Sequence, residues 1–170
     1  MHRLLTASVV LLVVGGCDSA PPGSSLAGTW AGNALSTFGL PRFAYGEGIF
    51  VRVSVDGGTA TIEGICGGGG SALGSGSVEA TVEMIGTGTF ASWQDSVTCP
   101  PRRIKTCDDV VFTYTYGSIL AGINTDFGST APVQYSNSLS LAASGSATGC
   151  GGLGSSLTTR YIGTPATLPE

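Results

Sequence analysis

Ile49-Phe50-Val51-Arg52-Val53-Ser54-Val55-Asp56-Gly57-Gly58-Thr59-Ala60-Thr61-Ile62 carries the pattern on which the fold turns. Ile49, Val51, Val53 and Val55 alternate with Phe50, Arg52, Ser54 and Asp56, the period of two expected of a strand with one buried face. Asp56-Gly57-Gly58 reads as a hairpin turn, because Asp-Gly accepts the positive φ that such turns require. The chain returns through Thr59 to Ile65 with Ala60, Ile62 and Gly64 on one face.

The same alternation extends both ways. Leu26 to Gly32 opens the domain, and Ser77 to Ile85 sets Val78, Ala80, Val82 and Met84 against Glu79, Thr81 and Glu83. Thr89 to Thr98, Val110 to Tyr116, Ser138 to Ala147 and Ser156 to Ile162 complete a set of eight strands. No helical stripe of useful length appears. An all-β domain with eight sequential antiparallel strands is expected to close into an up-and-down barrel, which removes exposed edges. A two-sheet β-sandwich is the alternative.

Gly28-Thr29-Trp30, on the first strand and followed by a long first loop, resembles the Gly-x-Trp signature of lipocalins and lipocalin-like bacterial lipoproteins. The resemblance implies a barrel with the tryptophan packed across its closed end and the first loop lying over its mouth. Phe38, Phe43 and Tyr45 fall in that loop, read as 33–47. With Trp93 they are the candidates for contact with a small apolar ligand, or else they plug the barrel themselves.

The N-terminus decides where such a domain would work. Met1-His2-Arg3 is a short basic start, and the apolar run from Leu4 to Val14 is too short to span a bilayer, which takes about 20 residues. This reads as a secretory signal over residues 1–16. Val14-Gly15-Gly16-Cys17 resembles the lipobox of bacterial lipoproteins. That resemblance implies cleavage before Cys17, acylation (palmitate included) of its thiol and amine, and a lipid anchor in the bacterial cell envelope. Two or three acyl chains would hold stably where one holds marginally. Residues 17–25, with Pro21, Pro22, Gly23, Ser24 and Ser25, read as a flexible tether. A single domain then spans 26–163, and residues 164–170 read as a frayed tail.

Composition excludes several functions. Loss of Arg3 with the signal leaves six of seven cations against eleven acids. Such an acidic, charge-poor chain is no partner for nucleic acid. The one histidine, His2, leaves with the signal, which excludes Ser-His and Cys-His nucleophilic catalysis and His-ligated zinc. Gly67 to Gly70 lacks the lysine of a phosphate loop. Glu79 and Glu83 point to solvent by alternation, and Asp108-Asp109 reads as a surface ion-pair partner. The expectation is a binding or structural protein with no enzymatic activity, cofactor or metal.

Lipidating Cys17 leaves an even four cysteines, which suits an oxidising compartment. If the strands run strictly up and down, Cys66, Cys99, Cys107 and Cys150 all fall at one end. Cys107 and Cys150 would be neighbours across an antiparallel pair. Cys66 and Cys99 would be separated by one strand, a gap the Gly67–Gly70 loop is expected to close. The favoured pairs are Cys66–Cys99 and Cys107–Cys150; the competing scheme is Cys99–Cys107 with Cys66–Cys150. The loop between Cys99 and Cys107 holds Arg102, Arg103 and Lys105, half the mature cations. It reads as an interaction finger for a protein partner, as in an envelope scaffold or protease inhibitor, or simply as a solvated loop.

Overall fold

In a computed structural model of the protein, the structure describes residues 26–39, 43–68, 70, 72–85, 88–105, 107–121, 138–149 and 152–168. Residues 1–25, read above as signal and tether and including Cys17, lie outside the described residues, as does Cys150. The described chain is all strand and connection: β1 (Gly28–Phe38), β2 (Phe43–Asp56), β3 (Thr59–Glu63), β4 (Ser77–Ile85), β5 (Gly88–Trp93), β6 (Val97–Thr98), β7 (Arg102–Ile104), β8 (Cys107–Ala121), β9 (Leu139–Gly149) and β10 (Gly152–Pro165).

Eight of these form a closed antiparallel ring in chain order. The sheet runs β5-β4-β3-β2-β1-β10-β9-β8, and β5 pairs β8 to close it. The closing contacts are extensive, from Trp30 opposite Pro165 to Phe38 opposite Leu157, and from Thr89 opposite Ala121 to Trp93 opposite Gly117. This is the expected up-and-down barrel, and its closed ring disposes of the sandwich. The inner wall follows from the alternation: Val51, Val53, Ala60, Ile62, Val78, Ala80, Ala91, Phe112, Ile119, Leu141 and Tyr161 are all buried. Trp30, also buried, donates its indole N–H to the Leu26 carbonyl at 3.0 Å. That bond clamps the chain where it enters β1.

Three elements differ from the sequence reading. First, β1 and β2 consume most of the segment read as a long loop, so Phe38 closes β1 and Phe43 and Tyr45 belong to β2. Ala34 and Ser36 face inward there while Leu35 is 52% exposed, so the hydrophobic pattern that marks a strand is inverted. Second, the tail is shorter: Thr164 and Pro165 pair with Ala31 and Trp30 in β10, and the Ala166 N–H bonds the Thr29 carbonyl at 2.9 Å.

Third, the strand read as Thr89 to Thr98 is interrupted. β8 is 15 residues long and keeps β9 along one edge. Its other edge is shared in succession by β5, β6 and β7. The interruption leaves a seam in the barrel beyond Trp93. A bulge in β8 accompanies it, since the register shifts between Tyr114 and Tyr116. The extra residue lets Tyr114 and Gly117 both face inward while Thr115 and Tyr116 are exposed. Gly117 is required by packing, because a Cβ there would collide with the Trp93 ring and with the Ala142 carbonyl.

Candidate functional site at the barrel mouth

The end of the barrel that receives the β3–β4 connection and the β7–β8 turn gathers most of the residues singled out from sequence. Cys66 and Cys99 are disulfide-bonded, with their Cα atoms 5.3 Å apart. This is the favoured pair, and it rules out the competing scheme. Cys107 is also disulfide-bonded, and its expected partner Cys150 lies outside the described residues. The bridge sits over the seam. Cys99 bonds through its N–H to the Phe112 carbonyl on β8 at 2.8 Å, while Cys66 bonds through its own to the Ser75 carbonyl at 3.0 Å. Two sides of the mouth are therefore joined covalently where strand pairing stops. Gly64, at φ +86°, turns the chain out of β3 into this connection.

Arg102 is the residue that sequence reading misplaced. Instead of standing in a solvated finger, residues 102–104 form β7 against β8, and the Arg102 side chain is only 15% exposed. Its Nη1 meets Glu47 Oε1 at 2.5 Å, and its Nη2 donates to the Cys66 carbonyl oxygen. The guanidinium carbon lies 5.0 Å from the centre of the Phe112 ring and 6.0 Å from that of Tyr45, within cation–π range. Arg102 thus straps β7 to β2 and to the β3–β4 connection across the mouth. Arg103 and Lys105 remain outside; Arg103 pairs with Asp108 at 3.2 Å, both well exposed, a contact of little energetic weight.

Under the strap lies an aromatic cluster. Phe112, fully buried, meets Phe38 edge-on at 5.2 Å, Tyr114 at 6.4 Å and Tyr45 at 6.5 Å. Tyr45 donates to Glu47 Oε2 at 3.3 Å. Burial, followed by the Glu47 carboxylate, pushes the Tyr45 phenol upward. Deeper in, a hydroxyl chain crosses the barrel: Thr159 Oγ1 lies 2.7 Å from Ser36 Oγ and 3.1 Å from Tyr114 Oη. Burial raises the Tyr114 phenol, and its bond to Thr159 opposes that. Phe38 and Tyr45 therefore line the mouth as wall residues rather than as a lid. The Phe43 side chain lies outside the described residues. Trp93 is buried against Gly117 on the inner wall.

Four buried polar atoms have no hydrogen-bond partner among the described residues: Trp93 Nε1, Tyr161 Oη, Arg102 Nε and Ser138 Oγ. Each such atom carries a desolvation cost of about 1–3 kcal/mol until something satisfies it. Tyr161, 1% exposed, has its phenol raised well above the usual range by burial. Because the folded state holds this proton more tightly, its contribution is constant below the unfolded pKa near 10 and is lost as pH rises above it. The expected fall is about 1.4 kcal/mol per pH unit from this group. Tyr161→Phe is expected to remove that part of the alkaline loss and to raise stability at neutral pH by about 1 kcal/mol. Urea unfolding at pH 7, 10 and 11 reads both effects.

Among the described residues no group of three or more His, Cys, Asp or Glu is placed to hold a metal ion. Glu79 and Glu83 are exposed on the outer face of β4, as alternation requires. What the mouth can do chemically is bury an apolar body, offer a few hydrogen bonds and present one strapped cation. Comparison with protein-family models, with curated protein sequences and with solved structures found no match.

Proposed function

We propose that this chain is a lipoprotein of the bacterial cell envelope, anchored by acylated Cys17, whose barrel binds a small, mainly apolar ligand without catalysis. The observation that supports the binding role is the interior itself. Its wall is aromatic and aliphatic, yet Trp93 Nε1 and Tyr161 Oη are held there with no partner among the described residues. A molecule with an apolar body and one or two hydrogen-bonding atoms satisfies such a wall, as ligand sites generally do. Entry passes the mouth, so the Arg102 strap and the Cys66–Cys99 bridge control it.

A second reading has its own support. Phe112 and Tyr161 fill much of the interior with their own rings, and two clefts lined by described residues lie mainly toward the outer wall, around Tyr116 and around Arg160. On that reading the domain is a filled envelope module that works through its surface. Native mass spectrometry of the protein purified from its own membrane separates the two. An added mass that leaves on denaturation, and whose affinity falls at least tenfold in Trp93→Phe, is the outcome expected for a carrier. A bare mass after gentle extraction favours the filled module.

A further inference from the structure

Charge is distributed unevenly around the barrel. The outer face of β3 and β4 carries Glu63, Glu79 and Glu83, with Arg52 of β2 beside Glu63 at 3.6 Å. The opposite wall, built from β9, β10 and β1, contains no acid in any of its three strands, and its only charge is Arg160. Three of the four large apolar side chains exposed among the described residues surround that wall: Leu35 at 52%, Ile162 at 54% and Tyr116 of β8 at 57%. Register makes Leu35 and Ile162 diagonal neighbours and puts Tyr116 two strands away from β10, across β9. Leu35 lies opposite Arg160, Asn33 opposite Ile162, and Ser144 opposite Tyr116. Between them stand small residues such as Ser140 and Ala142. A cleft of about 400 Å³ opens beside Arg160, bordered by Leu35, Thr37, Ser156 and Thr158.

The described chain begins at this same wall. Leu26, fully buried and bonded through its carbonyl to Trp30, fixes the point where the chain joins β1. Eight residues separate it from Cys17, a reach of about 30 Å when extended. A short flexible linker imposes an effective concentration of roughly millimolar. A surface of only weak intrinsic affinity is then occupied much of the time.

We propose that the β9–β10–β1 wall is the membrane-facing side of the domain, seated on an anionic bilayer with Arg160 and its cleft taking a lipid headgroup phosphate. The proposal rests on the anchoring of Cys17. Leu35, Ile162 and Tyr116 enter the interface between headgroups and acyl chains, where isolated apolar and aromatic side chains are favoured. The acidic β3–β4 face is turned away, which avoids repulsion from the anionic surface. The barrel then lies on its side, and its mouth opens along the membrane plane.

The test places the acylated full-length mature protein in nanodiscs of phosphatidylcholine and phosphatidylglycerol containing a gadolinium-chelating lipid. Relaxation enhancement of backbone amides is then mapped by NMR. The mass of the N-terminal fragment is read first, and a fragment without acyl chains overturns the anchored reading. With the acyl chains present, the expected result is strong broadening at Asn33, Leu35, Ala142, Arg160 and Ile162 and weak broadening at Thr61, Glu79 and Thr81. Arg160→Glu combined with Ile162→Asp, both exposed positions, is expected to reduce that contrast at least threefold while the spectrum stays folded. Equal broadening of the two walls, or contrast unmoved by the double substitution, overturns the proposal. So does contrast that is no weaker in discs of phosphatidylcholine alone, because that zwitterionic surface has no net negative charge to attract Arg160 or to repel the acidic face.

Discussion

Replacing Cys66 and Cys99 together with alanine is expected to lower the free energy of unfolding by about 4 kcal/mol. The bridge joins residues 33 apart in sequence, and closing a loop of that length in the unfolded chain corresponds to about 3.7 kcal/mol. Its position adds to the effect. β5 ends at Trp93, so beyond that point the ring is completed by β6 and β7, of two and three residues. Without the bridge this patch is held by a few ladder bonds and by Arg102, whose own acceptor is the Cys66 carbonyl. Equilibrium urea unfolding measures the outcome. With a slope of roughly 2 kcal/mol per molar urea, the midpoint moves down by about 2 M. A loss below about 1 kcal/mol would mean that the Arg102 strap holds the seam alone.

The parts of the fold legible in the sequence are those whose inner face is large and apolar. Val51, Val53, Ile62, Val78 and Phe112 repeat at period two, and hairpin residues such as Asp56-Gly57 separate the runs, so eight strands and their order can be counted. The mouth ends of β1 and β2 are illegible for the converse reason. On β1 the inner positions there are Ala34 and Ser36, Ser36 bonding Thr159 of the neighbouring strand and Thr159 in turn lying within bonding distance of Tyr114, and the larger Leu35 points out. Hydrophobic periodicity cannot report a wall built from hydroxyls. The seam is equally hidden, although Gly117 inside an aromatic strand is one available signal, since an isolated strand glycine marks close approach of another group. Arg102 gives no local signal at all. Its neighbours Arg103 and Lys105 are solvated, and the carboxylate that turns it inward, Glu47, lies 55 residues away.

That dependence on Glu47 makes Arg102→Met the other large perturbation. The Glu47 and Arg102 side chains are only 16% and 15% exposed, and removing one partner of a buried pair costs about 3–5 kcal/mol because the other charge is stranded. Here Tyr45 still donates to Glu47 and some water reaches it, so Arg102→Met is expected to cost about 2–3 kcal/mol. Glu47→Gln alone should cost less, about 1–2 kcal/mol, because Arg102 keeps the Cys66 carbonyl and the Phe112 ring. The double variant is informative. Methionine covers Phe112 with a flexible apolar chain and glutamine carries no charge, so the pair should recover most of the loss in Arg102→Met, leaving about 1 kcal/mol. Such recovery would show that the ion pair fixes where β7 lies across the mouth rather than how stable the barrel is. On the proposed carrier role, ligand exchange would then quicken in the double variant at nearly unchanged stability. A double variant as unstable as the sum of the singles would instead assign the energy to the guanidinium's contacts with Phe112 and the Cys66 carbonyl, and the mouth would be part of the core.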